Sequence, residues 1–71
     1  MLYSEHYIQN AINSKIPINK KFVNWINRVE QIVCEKLKLD LLDIPDEDYM
    51  EMFENKMSSY EVAEYVIKQN M

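Results

Sequence analysis

The chain has 71 residues and a formal net charge of −4; 48% of its residues are hydrophobic and 28% charged, with one cysteine and no glycine. A chain this short is one domain that buries only about 60% of the surface its unfolded form exposes, and the lone Cys34 excludes an internal disulfide as reinforcement. Without glycine, the tight primed hairpin turns, phosphate-cradling loops and dinucleotide fingerprints cannot be built in their usual form, so composition alone favours an all-α fold.

The opening MLYSEHYIQN lacks the basic start and uninterrupted apolar segment of a signal peptide. No apolar run approaches the roughly 20 residues of a membrane span. A soluble cytoplasmic protein with no membrane partner is the expectation. Residues 4 to 13 form the first predicted helix, with Ser4 as N-cap and Tyr7, Ile8, Ala11 and Ile12 on one face. Pro17 ends it at Lys15 or before, because the proline ring clashes with a preceding helical turn. Residues 1 to 15 are thus a short N-terminal helix, free to move until something orders it, on a single helical domain of residues 1 to 71.

Asn19 caps the next predicted helix, and Ile18 can staple onto Val23 across that cap. From Lys20 to about Lys38 the apolar residues Phe22, Ile26, Val29, Val33 and Leu37 recur at three- and four-residue spacing, with Trp25 and Ile32 widening the stripe. This is the long central helix. Lys21, Asn24, Asn27, Arg28, Gln31, Glu35 and Lys38 make up its solvated face, and Cys34, close to the apolar stripe, reads as a small buried hydrophobe.

In LDLLDIP, Pro45 forces a second break, while Leu39, Leu41, Leu42 and Ile44 are apolar enough to tuck under the long helix. Asp46 caps a third predicted helix, with Glu47 and Asp48 in its first turn, where the positive end of the helix dipole favours anions. Tyr49, Met50, Met52 and Phe53 supply its apolar contacts. Ser58 and Glu61 form a capping box that starts a fourth helix, whose buried stripe is Val62, Ala63, Val66 and Ile67 with Tyr60 and Tyr65 flanking it. The predicted architecture is a compact all-α bundle of about four helices around one long central helix.

Charge is divided unequally. Six basic and three acidic residues up to Lys38 give +3; from Leu39 onward nine acidic residues face two lysines, giving −7. Such asymmetry points to self-association or an electropositive partner.

The run DLLDIPDEDYMEMFENKMSSYEVAEYVI, covering about residues 39 to 67, resembles a pattern in small helical proteins carried by phages and other mobile elements: an acidic-aromatic segment, a turn, then a capped helix. Here Lys56 stands where a turn glycine is usual and Ser59 where proline follows the cap. The resemblance implies a small accessory protein of unknown or anti-defence role.

The chemistry-bearing residues are few. Asp46 and Asp48 have the first two spacings of a calcium loop, but Met50 replaces a ligand and Glu51 stands at the glycine position. No metal or other cofactor is expected. Nucleophilic catalysis needs a thiol beside a base, and nothing places the only histidine, His6, near Cys34. Asp43 with Glu47 could pair for acid and base work, yet so small a bundle offers no evident pocket. No enzyme activity and no catalytic residue are expected.

SSYEVAEYVI has the form of a helix-turn-helix opening, but no recognition helix follows. Lys20, Lys21, Arg28, Lys36 and Lys38 could contact a nucleic-acid backbone; Lys21, Arg28 and Glu35 fall near one line, so an acid breaks the stripe. Direct nucleic-acid binding is therefore disfavoured.

What remains is protein binding. Seven carboxylates between Asp40 and Glu54 are interleaved with Tyr49, Met52 and Phe53, and acids of this kind steer association with a basic surface. The expected contact set is Asp43, Asp46, Glu47, Asp48, Glu51 and Glu54, with Tyr49 and Phe53 as either anchors or core. The expected function is that of a non-enzymatic interaction factor, an inhibitor of a host defence or nucleic-acid-handling protein. The alternatives are a homodimer closed over Trp25 and Ile32, and a small nucleic-acid-binding regulator using the basic face of the long helix.

Overall fold

Four α-helices and one turn of 3-10 helix follow one another in the computed structural model, which describes residues 3–44 and 47–70. They are α1 (Tyr3–Asn13), α2 (Lys20–Leu37), the 3-10 turn (Leu41–Asp43), α3 (Tyr49–Glu54) and α4 (Ser59–Gln69), with no strand among the described residues. The fold is the expected all-α bundle, and α2 is its spine.

The capping residues set the register. Asn19 accepts the Phe22 N–H at 3.1 Å and starts α2 at Lys20. Phe22, Ile26, Val29 and Val33 then fall on one face and are at most 1% exposed. Burial of each such side chain contributes roughly 1.5–3 kcal/mol. Against this stripe α4 packs Val62, Ala63, Val66 and Ile67, starting from Ser58, whose Oγ accepts the Glu61 N–H at 3.1 Å while Glu61 accepts the Ser58 N–H at 3.3 Å. Leu41 and Ile44 close one end of the core, whereas Leu39 and Leu42 stay exposed. Only Leu41 and Ile44 of this apolar run tuck under, because a 3-10 turn repeats every three residues and brings positions three apart onto one side.

An aromatic cluster seats α1 and α3 on α2. Tyr7 lies 4.8 Å from Phe22, and Phe53 lies 5.4 Å from both Phe22 and Trp25 in edge-to-face geometry. Such pairs contribute about 0.5–1.5 kcal/mol each beyond area burial. The Trp25 Nε1–H donates to the Met57 carbonyl at 2.9 Å, tying α2 to the turn between α3 and α4. The radius of gyration is 11.7 Å, near the roughly 11 Å expected for a compact domain of this length.

Four further expectations need correction. Ser4 is not an N-cap: it lies inside α1 and is 4% exposed. Glu30 of α2 takes that role, its two carboxylate oxygens accepting the Tyr3 N–H at 3.0 and 3.1 Å. A charged acceptor from a neighbouring helix makes a stronger bond than a local hydroxyl. Ile12 is 58% exposed, because Ser4, Tyr7 and Ala11 define the seated face and Ile12 projects 100° beyond it. The third helix begins later than expected, at Tyr49, with Asp48 as its cap through the Glu51 N–H at 3.2 Å; Asp46 lies outside the described residues. Cys34 is exposed rather than buried.

Among the described residues three have positive φ, and all are lysines: Lys15 (57°), Lys38 (60°) and Lys56 (62°), each just past the end of a helix. After α1 and α3 the chain closes with a six-to-one bond, Ile16 N–H to Ala11 carbonyl at 2.8 Å and Met57 N–H to Met52 carbonyl at 3.2 Å. Glycine usually holds this left-handed position. This chain has none, and lysine offsets part of the steric cost by placing a cation at the negative end of the helix dipole.

Candidate functional site

Two surface features carry functional side chains: an acidic row on α3 and a groove along α2.

On α3, Tyr49 is 1% exposed and Met52 and Phe53 are half-buried, so one side of this short helix is fixed to the core. Asp48, Glu51 and Glu54 recur every three residues and are all exposed. That spacing forms a row on one face, and no basic residue lies within α3 to interrupt it. Asp48 is partly committed, since it caps the helix. Asp43 is exposed, but its Oδ2 accepts the Asp40 N–H at 3.4 Å. Glu47 is half-buried, and its backbone carbonyl accepts the Tyr49 N–H. Of the described members of the contact set, Glu51 and Glu54 are the carboxylates that are both exposed and without a capping task.

Tyr49 does not belong to that set. Its ring lies 5.1 Å from Tyr3 in edge-to-face contact and almost wholly inside the core, so no partner reaches it while α3 is folded. Phe53 is likewise engaged with Phe22 and Trp25. The four-residue spacing of these two rings is what packing against α2 requires. The accessible aromatics are instead Tyr60, 65% exposed, and Tyr65, 41% exposed. On the outward face of α4 they flank the exposed Glu61, Glu64 and Lys68.

The second feature was not anticipated. The α2 face read as plainly solvated is the floor of an open groove of about 700 Å³, formed by Asn27, Gln31, Cys34, Glu35 and Lys38. Ser4 and Glu5 of α1 make one wall, and Asp40 closes the other end. Although the residues are mostly polar, most of the surface they present is carbon. The groove exists because Glu30, 3% exposed at its base, holds two separate chain segments against α2. Besides the Tyr3 N–H it accepts the Leu41 N–H at 3.1 Å, so one carboxylate fixes the start of α1 and the start of the 3-10 turn. The signal in the sequence was a charged residue set among the apolar positions 26, 29 and 33.

His6 contacts Asn10 at 3.2 Å and lines a different, smaller cleft of about 290 Å³ with Leu41 and Ile44. Cys34 and His6 therefore line separate depressions. Among the described residues no three His, Cys, Asp or Glu side chains are grouped to hold a metal ion, and no helix is long and apolar enough to cross a membrane. Comparison with protein-family models, with curated proteins and with solved structures gave no match.

Proposed function

We propose that the protein is a non-enzymatic interaction factor that binds a basic surface of another protein through the acidic row of α3. The observation that carries this reading is the row itself: Asp48, Glu51 and Glu54 are exposed on one face of a helix whose other face is anchored by Tyr49 and Phe53. Charges on an ordered helix are positioned before the partner arrives, which favours fast, orientation-selective association. Asp43 and Glu47 extend the negative field at the entry to α3. In the setting that the resemblance to phage and mobile-element proteins implies, the partner is a host defence or nucleic-acid-handling protein, whose phosphate-binding surface the carboxylates would occupy.

Trp25 and Ile32, on which a homodimer would close, are packed against the core within one chain, which favours the hetero-partner reading. Lys20, Lys21, Arg28 and Lys36 on α2 and Lys38 at its end are exposed, with Glu35 among them. That mixture gives a weak footprint for phosphate binding.

The test is retention of host-cell proteins by tagged protein in nuclease-treated lysate, compared with the Glu51→Gln/Glu54→Gln variant. One partner with a basic groove, retained by the natural chain and released by the variant, is the expected result. Equal retention by both would remove the acidic row from the interface.

A further inference from the structure

The groove on α2 lies apart from the acidic row, and its residues take no part in the reading above. We propose that it binds a small organic cation with an apolar body, of the alkylammonium class. Its volume of about 700 Å³ falls within the roughly 300–1,000 Å³ of small-molecule sites.

Charge selects the head group. The groove presents four carboxylates, Glu5, Glu30, Glu35 and Asp40, against one ammonium, Lys38. An anion would be repelled, and a neutral ligand would leave these charges without a counter-ion. Glu30 is suited to the base of the site, since a carboxylate offers about four acceptor positions and this one is engaged by two backbone N–H groups.

Ser4 supplies the independent observation. It lines the groove and is 4% exposed, yet its hydroxyl has no hydrogen-bond partner among the described residues. The hydroxyl is not sealed in the core but opens onto the groove, where its oxygen can accept a ligand N–H. Carbon-rich walls accept the alkyl chain, and the exposed Cys34 thiol on the floor reports occupancy.

The experiment uses the full ¹⁵N-labelled chain titrated with hexylammonium, hexanol and hexanoate, which share an apolar body and differ in head group. Hexylammonium is expected to give saturable shifts at the amides of Ser4, Gln31 and Cys34, to bind about tenfold more tightly than hexanol, and to slow alkylation of Cys34 by iodoacetamide. Hexanoate should leave these amides unmoved. Glu5→Gln/Glu35→Gln should weaken hexylammonium binding severalfold, while Glu51→Gln/Glu54→Gln on α3 should leave it unchanged. Ser4→Ala should also weaken it, with helical content by circular dichroism as the check on folding. Equal response to hexanol or hexanoate, shifts confined to α3, unchanged alkylation of Cys34, or response to an arginine-rich peptide alone would each overturn the proposal. None of these readouts depends on the protein partner of α3.

Discussion

Glu30 and the α3 pair Glu51 and Glu54 are the same residue type in opposite circumstances. Glu30 is buried at a junction and takes backbone donors from residues 27 positions before it and 11 after it. Glu51 and Glu54 are exposed on a short helix. The difference follows from register: Glu30 falls within the apolar stripe of α2, whereas the α3 acids fall opposite Tyr49 and Phe53. A carboxylate is structural or available according to which face the helix gives it.

The sharpest way to break this contrast is Glu30→Ala. It leaves the Tyr3 and Leu41 N–H groups without their acceptor, and each such loss costs about 1–3 kcal/mol. A domain of this size has a total stability on the order of 4–11 kcal/mol. Urea unfolding followed by circular dichroism should show a loss of about 2–4 kcal/mol, with α1 released first. A loss under about 0.5 kcal/mol, the scale of an ordinary surface substitution, would reduce Glu30 to a bystander.

Neutralising the other side of the comparison should move function and not folding. Glu51→Gln/Glu54→Gln should weaken partner association by at least about tenfold while the melting temperature stays within a degree or two of the natural chain's, on the order expected for exposed substitutions. A matching fall in stability would make these acids structural as well. Salt gives an independent check: raising ionic strength from about 0.05 to 0.3 M should slow association through screening without shifting the thermal midpoint.

Asp48 straddles the two classes, because it both caps α3 and belongs to the exposed row. Asp48→Ala should cost about 1 kcal/mol of stability, as cap removals do, and also reduce partner affinity. Asp48→Ser should restore the stability alone. The smallest effect runs the other way. Lys38 holds a left-handed backbone at the end of α2, where Lys38→Gly relieves about 1 kcal/mol of steric cost, less whatever glycine loses in chain entropy. The midpoint of urea unfolding should rise slightly, and a fall would show that the lysine charge at the helix terminus outweighs the strain.

Much of the fold was legible because punctuation and period agreed. Asn19 and the Ser58–Glu61 box fixed the starts of α2 and α4, and the stripe from Phe22 to Val33 fixed what those helices bury. Less was legible where a local signal competed with a distant one. Ser4 had the chemistry of a cap, but a carboxylate 26 positions later took its place, and no local pattern encodes that pairing. The groove was hidden for a similar reason. Asn27, Gln31, Glu35 and Lys38 look like any wet helix face until α1 and the segment at Asp40 rise on either side of them. Of the candidate contact residues, Tyr49 and Phe53 looked like anchors from their place among the acids, whereas their four-residue spacing was that of the core.

Trp25 gives the domain an optical property. It is the only tryptophan in the chain, and its indole stacks near Phe22 and Phe53 while hydrogen-bonded to the Met57 carbonyl. Emission from this single fluorophore therefore reports on the seam between α2 and the α3–α4 turn, behind the acidic row. Docking of a partner on that row can be followed in the unlabelled protein as a change in intensity or wavelength, and detachment of α3 would register as a red shift while α2 and α4 remain helical.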